Sequence, residues 1–253
     1  MSSPTPSGPG GPRARIAVVP AYNETAAVVG VLDDLVTKVD EVYVVDDGST
    51  DDTRALVEAW RSGRESVRFL WFDENQGQSA ALLLAFRDVT RRLAAGELSP
   101  DDVVITVAAD GQHDLGALDR LWSTMTEGGV DAVIARRDLK QYPLLKRVGN
   151  AGMSWWARLW TGTALRDVES GYRLFRLGAL DDALRYYVGF RYTEAVEVAV
   201  ILCRLGYQVN NDVLVPVPVL RSRTRIIDAA RDLVVMPRAR WRTRGHSRSD
   251  VTV

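Results

Sequence analysis

Three short stretches of this chain put carboxylates, amides and aromatic rings where apolar runs stop. Pro20-Ala21-Tyr22-Asn23-Glu24 follows one run, Asp46-Asp47-Gly48-Ser49 the next, and Asp110-Gly111-Gln112-His113 a later one. Carboxylate and amide oxygens are hard ligands suited to Mg²⁺ or Mn²⁺. Gathered in one crevice, these groups could stack a base on the tyrosine, bond a ribose or base edge, and hold a metal on phosphates. Each stretch alone has a plainer use: Tyr22 as a half-buried aromatic, Asp47-Gly48-Ser49 as a turn and helix cap. Short motifs mislead singly, but three together, in this order, favour the crevice.

The elements between them must bring the three stretches to one edge. Short β-branched runs alternate with helical spacing: strands over Arg15–Pro20, Glu41–Asp46, Val67–Phe72, Val103–Ala108 and Asp131–Ala135, with helices between. In the first helix Val28, Val31, Leu32 and Leu35 share a face. Ser49 and Thr50 are placed to cap the second, running to about Arg61; Gln78–Leu93 and Leu115–Thr126 read as the next two. A repeated strand-helix unit with nearly continuous apolar strands predicts a mainly parallel sheet with helices on both faces, in a single α/β domain. Ligands of such sheets collect beyond the carboxyl ends of the strands, where all three stretches fall. Beyond Ala135, residues 138–165 look helical, Thr193–Leu205 forms a helix ending at Gly206, and 210–220 reads as an edge strand because of Pro216 and Pro218.

Composition narrows the classes. The chain has 253 residues, 46% apolar and 26% charged, with net charge -1, so it is neither a disordered polyelectrolyte nor a globally basic nucleic-acid binder. Its one cysteine, Cys203, lies in an apolar helical run and reads as a buried thiol, in keeping with a reducing cytoplasmic compartment. No apolar run reaches the ~18 residues of a membrane-spanning helix. Residues 1–13, rich in Ser, Pro and Gly, read as a disordered tail and not a secretory signal.

The series PAYNE, VDDGSTDDT, NQGQSAAL, ADGQH and DVESGYRLF, spread from residue 20 to 175, resembles family 2 glycosyltransferases of the GT-A (Rossmann-like) fold. Among these it is most similar to the dolichyl-phosphate mannose synthase branch, which moves a sugar from a nucleoside diphosphate to a polyprenyl phosphate. The resemblance implies a GT-A domain over 14–220 and nucleotide contacts from Pro20, Tyr22, Glu24, Asp47 and Gln78. It implies a Mg²⁺ or Mn²⁺ site on Asp110 and Gln112, and catalytic roles for Asp110, Arg173 and Glu197. Acceptor phosphate would meet Ser170, Arg137 and Arg147, since guanidinium forks suit phosphate oxygens; a solvated surface is the other reading of both arginines. Arg221 and Arg223 resemble a loop that closes over the donor diphosphate. The sequence departs from the family twice: Ala108 stands where the metal motif has its first aspartate, and Gln78 where a basic residue is usual.

Residues 221–253 form the basic C-terminal part: nine arginines against Asp228 and Asp232 up to Arg248, and an amphipathic helix expected to stop at Pro237. That helix is open to two readings, a solvated helix packed on the domain or one docking on anionic lipid at the inner face of the membrane. The functions left in play are an inverting transfer of a sugar from a GDP- or UDP-sugar to polyprenyl phosphate, the same transfer to a soluble acceptor, and catalytically weak sugar-nucleotide binding, the last suggested by Ala108. A dinucleotide oxidoreductase is disfavoured, because no Gly-X-Gly-X-X-Gly follows the first strand.

Overall fold

The computed structural model describes residues 14–140, 142–188, 194–217 and 235–246. The expected N-terminal tail, Arg221 and Arg223 lie outside the described residues. The elements run β1 (Arg15–Ala21), α1 (Val28–Leu35), β2 (Glu41–Asp47), α2 (Thr53–Arg61), β3 (Val67–Phe72), α3 (Gln78–Ala94) and β4 (Val103–Thr106). There follow a 3₁₀ turn (Leu115–Ala117), α4 (Leu118–Glu127), β5 (Ala132–Ile134), β6 (Arg136–Arg137), α5 (Leu144–Thr161) and β7 (Arg173–Arg176). The last are α6 (Leu177–Leu184), α7 (Glu194–Leu205), β8 (Val209–Asn210) and β9 (Leu214–Val215); residues 235–242 are also helical.

Seven strands form one sheet in the order β3-β2-β1-β4-β7-β5-β8, and β6 pairs with β9 separately. β1, β2, β3 and β4 are parallel neighbours, as are β5 and β8. The period of two along the strands divides the core. Ile16, Val18, Tyr43 and Val45 face α3, α5, α6 and α7, while Ala17, Val19, Val42 and Val44 face α1, α2 and α4. The mainly parallel sheet with helices on both faces is therefore observed.

Three details differ from the sequence expectation. β7 was not anticipated as a strand, and it inserts antiparallel between β4 and β5. Because it runs backwards, the loop before it (167–172) lies at the carboxyl ends of its neighbours, with Thr106 opposite Arg173. Ser49 and Thr50 do not cap α2. Ser49 Oγ accepts from the Asn23 amide and Thr50 N donates to Asn23 Oδ1, so both tie the β2 loop to the β1 loop. Asn23 takes φ 55° there, a left-handed conformation asparagine tolerates. Finally, the described C-terminal residues 235–242 are helical and include Pro237, with Met236 and Ala239 fully buried in the α5–α7 cluster, while the rest of the amphipathic helix expected up to Pro237 lies outside the described residues.

The region expected as one edge strand is two short ones. β8 sits at the sheet edge, and β9 ends at Val215, directly before Pro216, as a residue without an N–H requires.

Candidate active site

The strand order reverses between β1 and β4, and the described pocket opens at the carboxyl ends of those two strands. Its walls include Pro20 from the end of β1, Thr106 of β4, and Val107 and Ala108 just beyond it. Arg137 of β6, Glu169 and Gly171 before β7, and the first turns of α3 (Gln78, Ser79) and α7 (Glu194, Ala195) complete them. Both helices aim their N-terminal ends at this space, and each N-terminus carries partial positive charge suited to phosphate. Thr106 Oγ1 donates to the Gly171 carbonyl at 2.6 Å, joining the β4 and β7 sides of the floor.

The carboxylates after β2 face inward. Asp47 is 3% exposed and accepts from Gln76 N (2.8 Å), Gly77 N (2.9 Å) and Asn75 Nδ2 (2.9 Å). It thereby fixes the loop that starts α3 and presents Gln78 and Ser79 to the pocket. Gly48 is required beside it: a Cβ there would sit 2.4 Å from the Glu74 carbonyl carbon, and its φ is +68°. Asp46 is fully buried, bonded to Arg54 Nε at 2.9 Å and to Ser49 N.

Past β4, Asp110 Oδ1 accepts from Gln112 N (3.0 Å) and Oδ2 from Gln112 Nε2 (2.7 Å), a turn made over Gly111 at φ 73°. His113 follows. Its Nδ1 accepts from Ala108 N at 3.1 Å, its ring stacks on Tyr172 at 4.9 Å, and burial holds its pKa down at about 4.

Two acidic groups missing from the sequence-based site line the pocket. Glu169 lies 3.7 Å from Arg137 Nη2, and Glu194 pairs with buried Arg173 at 3.3 Å. Burial raises the pKa of both above the usual glutamate range. Arg137 itself is bidentate to Asp167, from Nε and Nη2 at 2.8 Å each, and Nη2 also reaches Asn150 Oδ1 of α5 at 3.3 Å.

Residues 16–174 match the sequence profile of Glycosyl transferase family 2, which is more than half of the chain. The chain belongs to that family. One relative is the UDP-N-acetylglucosamine–dolichyl-phosphate N-acetylglucosaminyltransferase of Methanococcus voltae, 26% identical over 202 residues, covering 73% of this chain and 78% of the relative. Another is the undecaprenyl-phosphate 4-deoxy-4-formamido-L-arabinose transferase of Yersinia pestis, 26% identical, covering 63% of this chain and 47% of the relative. Among solved structures, glucosyl-3-phosphoglycerate synthase of Mycobacterium tuberculosis with Mn²⁺, UDP and glucosyl-3-phosphoglycerate superposes with TM-score 0.61 at 22% identity, over 93% of this chain and 86% of that one. The mannosyltransferase PcManGT of Pyrobaculum calidifontis with GDP-Man and Mn²⁺ gives TM-score 0.58 at 18% identity, over 91% and 70%. These likenesses show a GT-A glycosyltransferase fold.

Within this family 2 enzyme, the structure gathers Pro20, Gln78 and Arg137 in the pocket wall. Arg173 and Ser170, both 1% exposed, lie beneath it, where Ser170 O accepts from Arg173 Nε. Tyr22 and Glu24 are half-buried at the β1 end, with Glu24 N donating to Thr53 Oγ1 at 2.9 Å. Tyr22, Glu24, Asp47, Asp110, Gln112, Ser170 and Arg173 adjoin the pocket without lining it, and two further expected residues are turned elsewhere. Arg147 is exposed on the first turns of α5. Glu197 is 2% exposed and accepts from Arg242 and from Val188 N, one turn along α7 from the pocket-lining Glu194. The acidic pair at the start of an otherwise apolar helix was the available signal for Glu194, since the earlier member lies nearer the sheet's carboxyl edge.

The metal question turns on the donor set. Among the described residues no three His, Cys, Asp or Glu side chains cluster as a cation site. Asp110 is the hard-oxygen donor, both its oxygens bonded to Gln112, whose carbonyl would have to turn inward to join it; Ala108 offers none, and His113 Nδ1 is engaged. This set suits a cation that arrives with the donor diphosphate and takes its remaining ligands from phosphate and water.

Proposed function

We propose that this family 2 enzyme transfers a sugar from a nucleoside-diphosphate sugar to a polyprenyl phosphate, with inversion at the anomeric carbon. One observation carries the reading: the ends of β1 and β4, which lead directly into the donor-type motifs, share a pocket with Arg137 and with the N-termini of α3 and α7. The named relatives that act on dolichyl and undecaprenyl phosphate support the acceptor class. Tyr22 and Glu24 receive the nucleotide, while Asp47 acts on it through the 75–77 loop. Asp110 and Gln112 would hold Mg²⁺ or Mn²⁺, which neutralises charge on the leaving diphosphate. An acceptor phosphate oxygen forms the new bond to the anomeric carbon as the bond to the donor diphosphate breaks. That oxygen is already anionic, so no side chain needs to remove a proton. Arg137, with Asp167 and Glu169 fixing its orientation, offers the positive charge that orients the acceptor. Glu194 holds Arg173 under the pocket.

The test is transfer from radiolabelled GDP-mannose, UDP-glucose or UDP-N-acetylglucosamine to a polyprenyl phosphate with Mn²⁺, followed by organic extraction. Label in the organic phase, lost in Arg137→Ala, is the expected result. Label transferred only to a water-soluble acceptor would replace the lipid phosphate with a soluble substrate.

A further inference from the structure

α5 carries apolar residues on two faces. Its inward face buries Met153, Ala157 and Thr161 against the core. Its outward face should be polar in an ordinary surface helix, yet Leu144 (70% exposed), Leu145 (84%), Val148 (59%), Trp155 (61%) and Leu159 (49%) lie there. At 100° per residue these five fall within one arc of about 100°, with Gly152 inside it. The stripe runs roughly 22 Å along the helix axis. Scattered exposed apolar side chains are ordinary, but a continuous stripe this long marks a docking surface.

Charge indicates what docks. α5 contains no acidic residue, and Arg147 and Arg158 flank the stripe, with Lys146 round the other side of the helix. The neighbouring segment 235–246 also lacks acids and holds Arg238, Arg240 and Arg244, besides Arg242, which pairs with buried Glu197. Arg240 Nη1 reaches the Leu159 carbonyl at 3.4 Å, so this segment packs at the end of α5, and it exposes Trp241 by 74%. Apolar residues, two exposed tryptophans and a basic flank match the interfacial region of an anionic bilayer. A two-fold contact between copies would instead set Arg147 and Arg158 against the same arginines.

We propose that the outward face of α5 docks this enzyme on an anionic lipid leaflet. The same helix touches the pocket through Asn150, which accepts from Arg137. Docking therefore fixes the height and angle of the pocket above the leaflet in which a polyprenyl phosphate head would sit. The purpose of this surface rests on the polyprenyl-phosphate reading; its existence does not.

The full chain is sedimented with phosphatidylglycerol-containing and with phosphatidylcholine-only vesicles, alongside the variant Leu145→Ser/Val148→Ser/Trp155→Ser. These side chains are solvent-exposed, so circular dichroism and melting temperature should match wild type. Binding to anionic vesicles only, weakened roughly tenfold or more in the variant, is the expected result. Equal sedimentation of variant and wild type would assign any membrane contact to other residues and overturn the proposal. A wild-type dimer in sedimentation velocity that the serines dissolve would give the face to a second copy and also overturn it. Turnover separates this proposal from the acceptor reading. The variant should lose activity on long-chain acceptor in vesicles but keep it on a short, water-soluble polyprenyl phosphate. No wild-type turnover on either acceptor would sink the acceptor reading while leaving the sedimentation result to stand.

Discussion

Asp47→Ala tests whether this aspartate works mainly by holding a loop. Its carboxylate accepts from two backbone amides and the Asn75 side chain, and hydrogen bonds to a charged group are worth about 1.5–3 kcal/mol each. Gly77 is buried, so its N–H loses a partner that water cannot easily replace; Asn75 and Gln76 are exposed and can be rehydrated. Counting Gly77 nearly in full and the other two at a discount gives a loss of about 3 kcal/mol. In a chain of this size that lowers the melting temperature by roughly 6–12 °C. Differential scanning calorimetry of wild type and Asp47→Ala reads this directly, and titration calorimetry with GDP and UDP reads the effect on the pocket. Nucleotide affinity should fall too, because the loop sets the start of α3. A variant that melts within about 2 °C of wild type yet binds nucleotide much more weakly would refute the loop-holding account and make Asp47 a direct ligand.

Two other perturbations follow from the site. Asp110→Asn should abolish metal-dependent turnover, whereas Ala108→Asp, which adds a carboxylate at the pocket wall, should lower the half-saturating Mn²⁺ concentration roughly tenfold, about 1.4 kcal/mol; undiminished wild-type activity in excess EDTA would count against both. Glu194 has a folded-state pKa raised by burial, so the folded protein holds its proton more tightly than the unfolded chain does. Its ionisation therefore costs stability as pH rises from the unfolded value of about 4.3 through the raised folded value. Glu194→Gln removes that slope. Melting scans of both proteins from acid to neutral pH should show the wild type losing ground to the variant as pH rises; parallel curves would contradict the raised pKa.

The first half of the fold was legible because its signals are redundant. In β1 and β2 the apolar runs stop at the motif residues, and α1 buries the four residues its spacing selects: Val28, Val31, Leu32 and Leu35. β7 was not legible, since four residues give too short a period and its direction depends on pairing with β4, which is distant in sequence. In the site, residue types were readable but side-chain direction was not. Asp47 points into its own loop, and Glu197 turns to Arg242 while Glu194 takes the pocket wall. Ser49 and Thr50 could as well have capped a helix; only the proximity of Asn23 decides otherwise.

The Arg137–Asp167 clasp makes the excursion between them a closed loop. It joins the two ends of the excursion that carries α5, with Nη2 to Oδ1 at 2.8 Å. Everything between follows the short β6–β9 pair and returns just before β7 of the main sheet, so its entry and exit are stitched together at one point of the pocket rim. Such a segment is mechanically self-contained: its length and outward face could change without disturbing the strand register beneath. The cost of lengthening it is small, since each doubling of a loop adds only about 0.6 kcal/mol of closure entropy. A change in the excursion's outward face would therefore leave the strand ends that build the pocket floor where they are.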